Sequence, residues 1–424
     1  MSTRAHLPGL RDRAQSILSA VGGATRDELG VIRESYGAGE DTALQILTEQ
    51  ARAMGFVCDT DRAGNLWLRL PEDQREDRFV VIGSHVDSVP QGGNFDGLAG
   101  VVAGMLVLAA LQGRHEAAPP VRVLALRGEE SAWYGKAYIG SLALLGRLPS
   151  AALDLKHRNG NGTLGEAMSR CGADVDMIRR GEPLLDAARV SAYLELHIEQ
   201  GPVMVARGWP VAAVTGIRGN VRHNRVRCIG ESGHSGAVPR WLRKDALLAV
   251  AELLSRMDEH WRVLLQMGMD LVMTSGICST SLRSHAVSVI PGEVGLSFEA
   301  RSQDEQTLER FYALMRAECS AIESSRGVRF EFDERLFTAP ATMDPGWISK
   351  LESAWGHTGQ ALERIPSGAG HDAAVFANAG IPSAMVFIRN ENGSHNPHEA
   401  MDIDDFLAGA GLLHRVLSGE SLTP

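Results

Sequence analysis

Four short stretches of this chain are apolar with few interruptions and then end in imidazole or carboxylate groups. The first runs Val80-Val81-Ile82-Gly83-Ser84-His85-Val86-Asp87 and the second Val123-Leu124-Ala125-Leu126-Arg127-Gly128-Glu129-Glu130. The third is Ala192-Tyr193-Leu194-Glu195-Leu196-His197-Ile198-Glu199, and the fourth, Ala384-Met385-Val386-Phe387-Ile388, leads into a loop with His395 and His398. Runs of this length, rich in Val, Ile and Leu, predict strands buried on both faces of a sheet. Residues 98–111, after Asp96-Gly97, predict a buried helix. Helical spacing recurs over 41–54, 141–148 and 165–170, and Gly64-Asn65 predicts a turn before an extended 66–68. From 79 to about 213, strand and helix alternate, a βαβ rhythm that predicts a largely parallel sheet with flanking helices.

The rhythm then changes. Strand 221–229, helix 245–261, strands 271–277 and 293–300, helix 305–324 and strand 328–332 follow in order. That is β-α-β-β-α-β, the ferredoxin-like arrangement. The first pattern resumes with helices 345–356 and 372–379 and strand 384–388. At 424 residues the chain is long for one core, so two domains are expected. The expected boundaries are 1–213 and 331–424 for a divided catalytic α/β domain and 214–330 for an insertion. Two linkers crossing at one place suggest a hinged lid.

Composition narrows the partners. A net charge of −10 argues against nucleic acid, which needs a basic footprint. The longest apolar stretch, 98–111, is too short to span a bilayer, and no basic amphipathic stretch suggests a membrane surface. Residues 1–8 lack the apolar core of a secretion signal. The five cysteines, Cys58, Cys171, Cys228, Cys278 and Cys319, form no CxxC pair and read as core residues of a cytoplasmic protein. A small-molecule substrate is the expected partner.

Ligands of open α/β sheets gather at the carboxyl ends of the strands, and the four polar endings collect there. Four such endings in one chain point to a hydrolytic centre with two metal ions. His85 and Asp87 share a side of extended backbone, so Asp87 can orient the imidazole. Asp96 is either a ligand or the N-cap of the helix that follows. Adjacent buried acids repel; one of Glu129 and Glu130 as ligand and the other as general base resolves the conflict. His197 is crowded by Glu195, Glu199 and Gln200. His371-Asp372 could simply start a helix, and of His395 and His398 one suits a ligand. His157, His260, His285 and His357 read as surface or core histidines. The chain carries no G-x-S-x-G elbow, no phosphate-binding GxxxxGK[ST] loop and no HExxH, which removes the common competing chemistries.

Five motifs together are specific: Gly83-Ser84-His85-Val86-Asp87-Ser88-Val89-Pro90, Gly92-Gly93-Asn94-Phe95-Asp96-Gly97, Glu195-Leu196-His197-Ile198-Glu199-Gln200-Gly201-Pro202, Gly370-His371-Asp372-Ala373 and Ser394-His395-Asn396-Pro397. On them the chain, from about 33 to 417, resembles the hydantoinase/carbamoylase branch of the M20 metallopeptidases. That branch includes N-carbamoyl-L-amino acid hydrolases, β-ureidopropionases and allantoate amidohydrolases. The resemblance implies a zinc-exopeptidase-like α/β fold with an inserted lid that also carries a homodimer contact. It implies two divalent ions per subunit, zinc first, with manganese, cobalt or nickel as the other candidates. Asp96 would bridge them, with His85 and His197 on one, Glu130 and His395 on the other, and Glu129 as general base. His234 matches the family's lid histidine, and Arg301 its lid arginine. Gln200, Ser288 and His371 join Arg301 as candidate substrate contacts.

Two departures concern the substrate. Ser288-Val289-Ile290-Pro291 stands where the family usually has Asn first, and Glu129-Glu130-Ser131-Ala132-Trp133-Tyr134 replaces its EEGSRF pattern, where Trp133 beside the acids is expected to change the pocket shape. The expected activity is cleavage of a linear amide or ureido C–N bond, with N-carbamoyl-L-amino acids first and allantoate or N-acyl amino acids next. A metal-free binding protein on the same fold is the reading from another class.

Overall fold

The computed structural model describes residues 8–75, 78–113, 118–281 and 286–418; His285 lies outside them. The described residues form two compact units, one running to Thr215 and again from Thr342, the other Gly216–Ala341.

The first unit is built on nine strands with helices packed against them. Its four central strands run parallel, in the order Val121–Leu126, Phe79–His85, Val190–Ile198, Ser383–Ile388. They are the four apolar stretches of the sequence, and they are buried almost throughout. Burial on both faces is why they lack the alternation of a half-exposed strand. One face is covered by the helix Leu98–Leu111, which packs on three of these strands and on the helix Ile403–Ser418. Outer strands extend the sheet antiparallel on both sides, by Leu66–Arg69 on Val121–Leu126 and by Val211–Ile217 on Ser383–Ile388. Parallel central strands place all four carboxyl ends at one edge. The helix expected over 141–148 is shorter, Ile139–Leu144, because Gly146 takes φ +66° and turns the chain. No helix among the described residues is long and apolar enough to cross a membrane.

The second unit has its own antiparallel sheet, ordered Cys278–Thr280, Glu293–Ser302, Gly219–Ile229, Arg329–Phe332. The order is that of a split βαβ pair. Two helices, Ala246–Gln266 and Glu305–Arg326, close a core that includes Val226, Leu253, Phe298, Phe311 and Met315. Asp245 and Asp304 cap them, each accepting two backbone N–H groups of the first turn; such a cap typically contributes about 1 kcal/mol.

Three details differ from the sequence reading. The unit runs past 330 because Leu336–Thr338 pairs with Gly219–Ile229. The strand expected over 271–277 is two pieces, Val272–Thr274 and Cys278–Thr280, both on Glu293–Ser302. They part where the register of that strand shifts between Leu296 and Phe298. The five thiols are free but not all core: Cys278 is exposed and Cys58 and Cys171 half-buried, since Cys278 lies on the edge strand.

Candidate metal centre

Local structure delivers each group. His85 ends its strand, and the next residue, Val86, donates its N–H to Leu126 O at 3.0 Å. After Val121–Leu126 the chain is turned by a buried cluster. Glu40 accepts from Arg127 Nη1 at 2.6 Å and from Gly128 N–H at 2.9 Å, and Arg127 Nη2 reaches Asp41 at 2.5 Å. Burial pushes the Glu40 carboxyl up to about 8 against the pull of Arg127. Asp87 then takes both following N–H groups, Glu129 at 3.0 Å and Glu130 at 3.1 Å. Asp87 also accepts the Ser35 hydroxyl at 2.6 Å and faces His85 Nδ1 at 3.3 Å. One buried carboxylate thus orients the imidazole and both acids. Gly97 takes φ +67°, and a Cβ there would lie 2.5 Å from the His85 ring, so the Asp96 loop closes over His85 only with glycine.

Asp96 is not a helix cap. The helix Leu98–Leu111 has no side-chain cap, and the Asp96 carboxylate points at imidazoles instead. Its Oδ1 is 3.1 Å from His197 Nε2 and 3.4 Å from His85 Nε2, and the two Nε2 atoms are 3.5 Å apart. Its Oδ2 is 3.5 Å from His395 Nε2, which is 3.2 Å from Glu130 Oε1. Gln200 Nε2 donates to the same Oδ2 at 2.8 Å, and the Ser394 hydroxyl is in contact with it.

These spacings fit metal ions. Ligand atoms about 2.0–2.1 Å from a tetrahedral ion lie roughly 3.3 Å from one another. His85, Asp96 and His197 make one such group and Asp96, Glu130 and His395 a second; Glu195, His197 and His371 form a third that shares His197 with the first. Asp96 Oδ1 is buried and makes no hydrogen bond, a costly state for a carboxylate oxygen that a cation relieves. Mixed imidazole and carboxylate donors suit zinc and its neighbours. Glu129 is buried beside Glu130 but belongs to none of the ligand groups found among the described residues.

The charges agree. Burial alone would lower His85 and His197, yet the carboxylates that face them, Asp87 and Asp96 for His85 and Asp96 for His197, raise both above the usual imidazole range. Burial would raise Asp96, but His197 and His85 hold it well below the carboxylate range. Bonding to Glu130 raises His395 to about 9. Carboxylates that draw protons onto three imidazoles would draw a divalent ion in their place, with proton release. Burial raises Glu129 well above its ordinary value, opposed by His85 and reinforced by Glu130.

Other residues singled out in the sequence divide between the units. His371 is buried with its ring 4.4 Å from that of His197 and Nε2 on Ser367 Oγ at 2.8 Å. Trp133, expected to reshape the pocket beside the acids, instead packs in the core with its N–H on Ser88 O at 2.7 Å. In the second unit, His234 pairs in register with Val289, next to Ser288, while Arg301 lies on Glu293–Ser302 with its guanidinium 3.0 Å from Glu299. His398 is exposed and joins no ligand group. We therefore expect His395→Ala to cost more than the roughly 10–100-fold in metal affinity usual for an outer partner, and His398→Ala to leave it unchanged. Metal titration of both variants checks this; an unaffected His395→Ala would reverse the choice.

Sequence reasoning missed Ser35, Glu40, Ser394 and Glu399, which hold the ligands' backbone and carboxylates. Ser35, Glu40 and Glu399 are buried and Ser394 half-buried, which a polar residue does not announce in the sequence.

Known proteins match this chain along most of its length. A model of peptidase family M20/M25/M40 matches residues 81–419. An N-carbamoyl-L-amino acid amidohydrolase of Geobacillus stearothermophilus is 32% identical over 92% of this chain and 93% of its own. An allantoate amidohydrolase of Bacillus subtilis (strain 168) is 32% identical over 91% and 90%. A solved hydantoinase/carbamoylase family amidase from Burkholderia multivorans superposes with a TM-score of 0.86 at 27% identity, covering 98% of each chain.

Proposed function

The chain belongs to peptidase family M20/M25/M40, and from this premise we propose an amidohydrolase that uses two divalent ions to cleave a linear amide or ureido C–N bond, N-carbamoyl-L-amino acids being the preferred substrates. One observation carries the reading: Asp96 belongs to two ligand groups, and both have the spacing of atoms around an ion. His85, Asp96 and His197 would hold one ion, and Asp96, Glu130 and His395 the other. Ions bound there would polarise the substrate carbonyl and make an attacking water more acidic.

The chain's own groups carry the protons. Glu129 adjoins the ligand Glu130 without being one, so its carboxylate is available to take a proton from the attacking water and pass it to the leaving nitrogen. Gln200 restrains Asp96 through Oδ2 and stands as a substrate contact, as do Ser288 and His371. His234 and Arg301 enter through the family resemblance, His234 toward the developing oxyanion and Arg301 toward the substrate carboxylate. A guanidinium holds a carboxylate through two parallel hydrogen bonds.

Arg301→Ala should therefore lower kcat/KM by ~10²-fold, about 3 kcal/mol of transition-state binding. The loss should largely vanish for an analogue whose carboxylate is a neutral amide. Equal slowing of both substrates would remove Arg301 from the carboxylate. A substrate panel decides the rest: carbamoyl, acyl and formyl amino acids and allantoate, each with zinc, manganese, cobalt and nickel. Allantoate is included because relatives at the same identity carry that name. Fastest turnover of an N-carbamoyl-L-amino acid is expected; exclusive turnover of allantoate would replace the substrate assignment.

We also propose pairing of two copies through the second unit. That unit exposes Trp241, Leu242, Met267 and Ile277, apolar surface of the kind that invites a partner. Five free thiols support a cytoplasmic setting.

A further inference from the structure

Asp96 and His395 lie on loops far apart in the chain, yet one side chain binds both loops. Glu399 Oε1 accepts the N–H of Phe95 at 2.7 Å and of Asp96 at 3.2 Å. Its Oε2 accepts the hydroxyl of Ser394, the neighbour of His395, at 2.7 Å. Glu399 is only 7% exposed, and it packs where Gly93 has no side chain: a Cβ on Gly93 would overlap the Glu399 carboxyl group. A buried carboxylate that meets three donors on two loops is far stiffer than either loop alone.

We propose that Glu399 is a positioning residue of the metal centre, locking the Asp96 loop and the His395 loop into the one arrangement in which both ligand groups can share Asp96. The proposal rests on the two-ion reading. It makes no contact with substrate necessary. It depends on hydrogen-bond acceptance, so glutamine, whose amide oxygen can accept both backbone N–H groups, should largely replace glutamate.

The test measures zinc affinity and stoichiometry by chelator competition, and pairing of two manganese ions by electron paramagnetic resonance, in wild type, Glu399→Ala, Glu399→Gln and Gly93→Ala. Glu399→Ala should lose ~10–100-fold in affinity for at least one ion, the scale of outer-partner loss, and should lose the spin-coupled signal. Gly93→Ala should do the same by displacing the carboxylate, and Glu399→Gln should stay close to wild type. If Glu399→Ala fails to fold, the other two variants decide. Wild-type affinity and coupling in Glu399→Ala, or in Gly93→Ala, would overturn the proposal. So would a Glu399→Gln protein as weak as the alanine variant, since charge rather than acceptance would then be at work. A wild type holding fewer than two ions would count against the two-ion reading instead, while the ratio of variant to wild type for the ion that remains still judges Glu399.

Discussion

Asp96→Ala should yield a folded protein that retains neither ion and has lost at least ~10³-fold in turnover, since each ion contributes several kcal/mol of transition-state stabilisation. Among the described residues no other belongs to both the His85–His197 group and the Glu130–His395 group. Removing its carboxylate leaves the first group with two imidazoles and the second with one imidazole and one carboxylate. Neither remainder matches the three protein ligands usual at a catalytic zinc. The fold should tolerate the change. Asp96 caps no helix, its backbone N–H remains on Glu399, and a buried oxygen without a hydrogen bond disappears. Elemental analysis with circular dichroism reads both halves. A folded Asp96→Ala protein with full metal content and turnover would remove the shared-ligand assignment.

Glu129→Gln and Glu130→Gln should fail in different ways, although the residues are adjacent and both buried. Glu130 Oε1 is 3.2 Å from His395 Nε2 within a ligand group. An amide there is a weaker ligand than a carboxylate, so Glu130→Gln should release an ion and lose activity with it. Glu129 is in no ligand group, and its backbone N–H stays on Asp87 in the variant. Glu129→Gln should therefore keep its ions and still lose at least ~10²-fold in kcat, the range of general-base catalysis. Added metal should restore part of the activity of Glu130→Gln and none of that of Glu129→Gln. Equal metal loss in the two proteins would contradict the division of roles.

The sequence pointed to the candidate ligands and left their support invisible. His85, His197, Glu129 and Glu130 follow apolar runs with few interruptions, and such runs are how strands buried on both faces look. The same pattern located the parallel centre of the sheet. Asp96 was ambiguous because an Asp before a helix is most often a cap; in the structure it caps no helix and faces three imidazoles. Trp133 was misplaced for a similar reason. Its position beside the acids in the chain suggested the pocket, but an indole is largely apolar and its single N–H found Ser88 O in the core. Glu40, Arg127 and Glu399 carried no signal of their own in the sequence, since burial of a charge depends on a partner distant in sequence. The boundary at 341 was missed because Leu336–Thr338 is too short to show a period.

Titration of the metal-free protein with zinc, following ammonia release from an N-carbamoyl-L-amino acid, tests the central claim most directly. The account predicts negligible hydrolysis without metal and a rate that climbs to a plateau at two equivalents per chain. Full rate in the metal-free protein, or a plateau at a single equivalent, would contradict it.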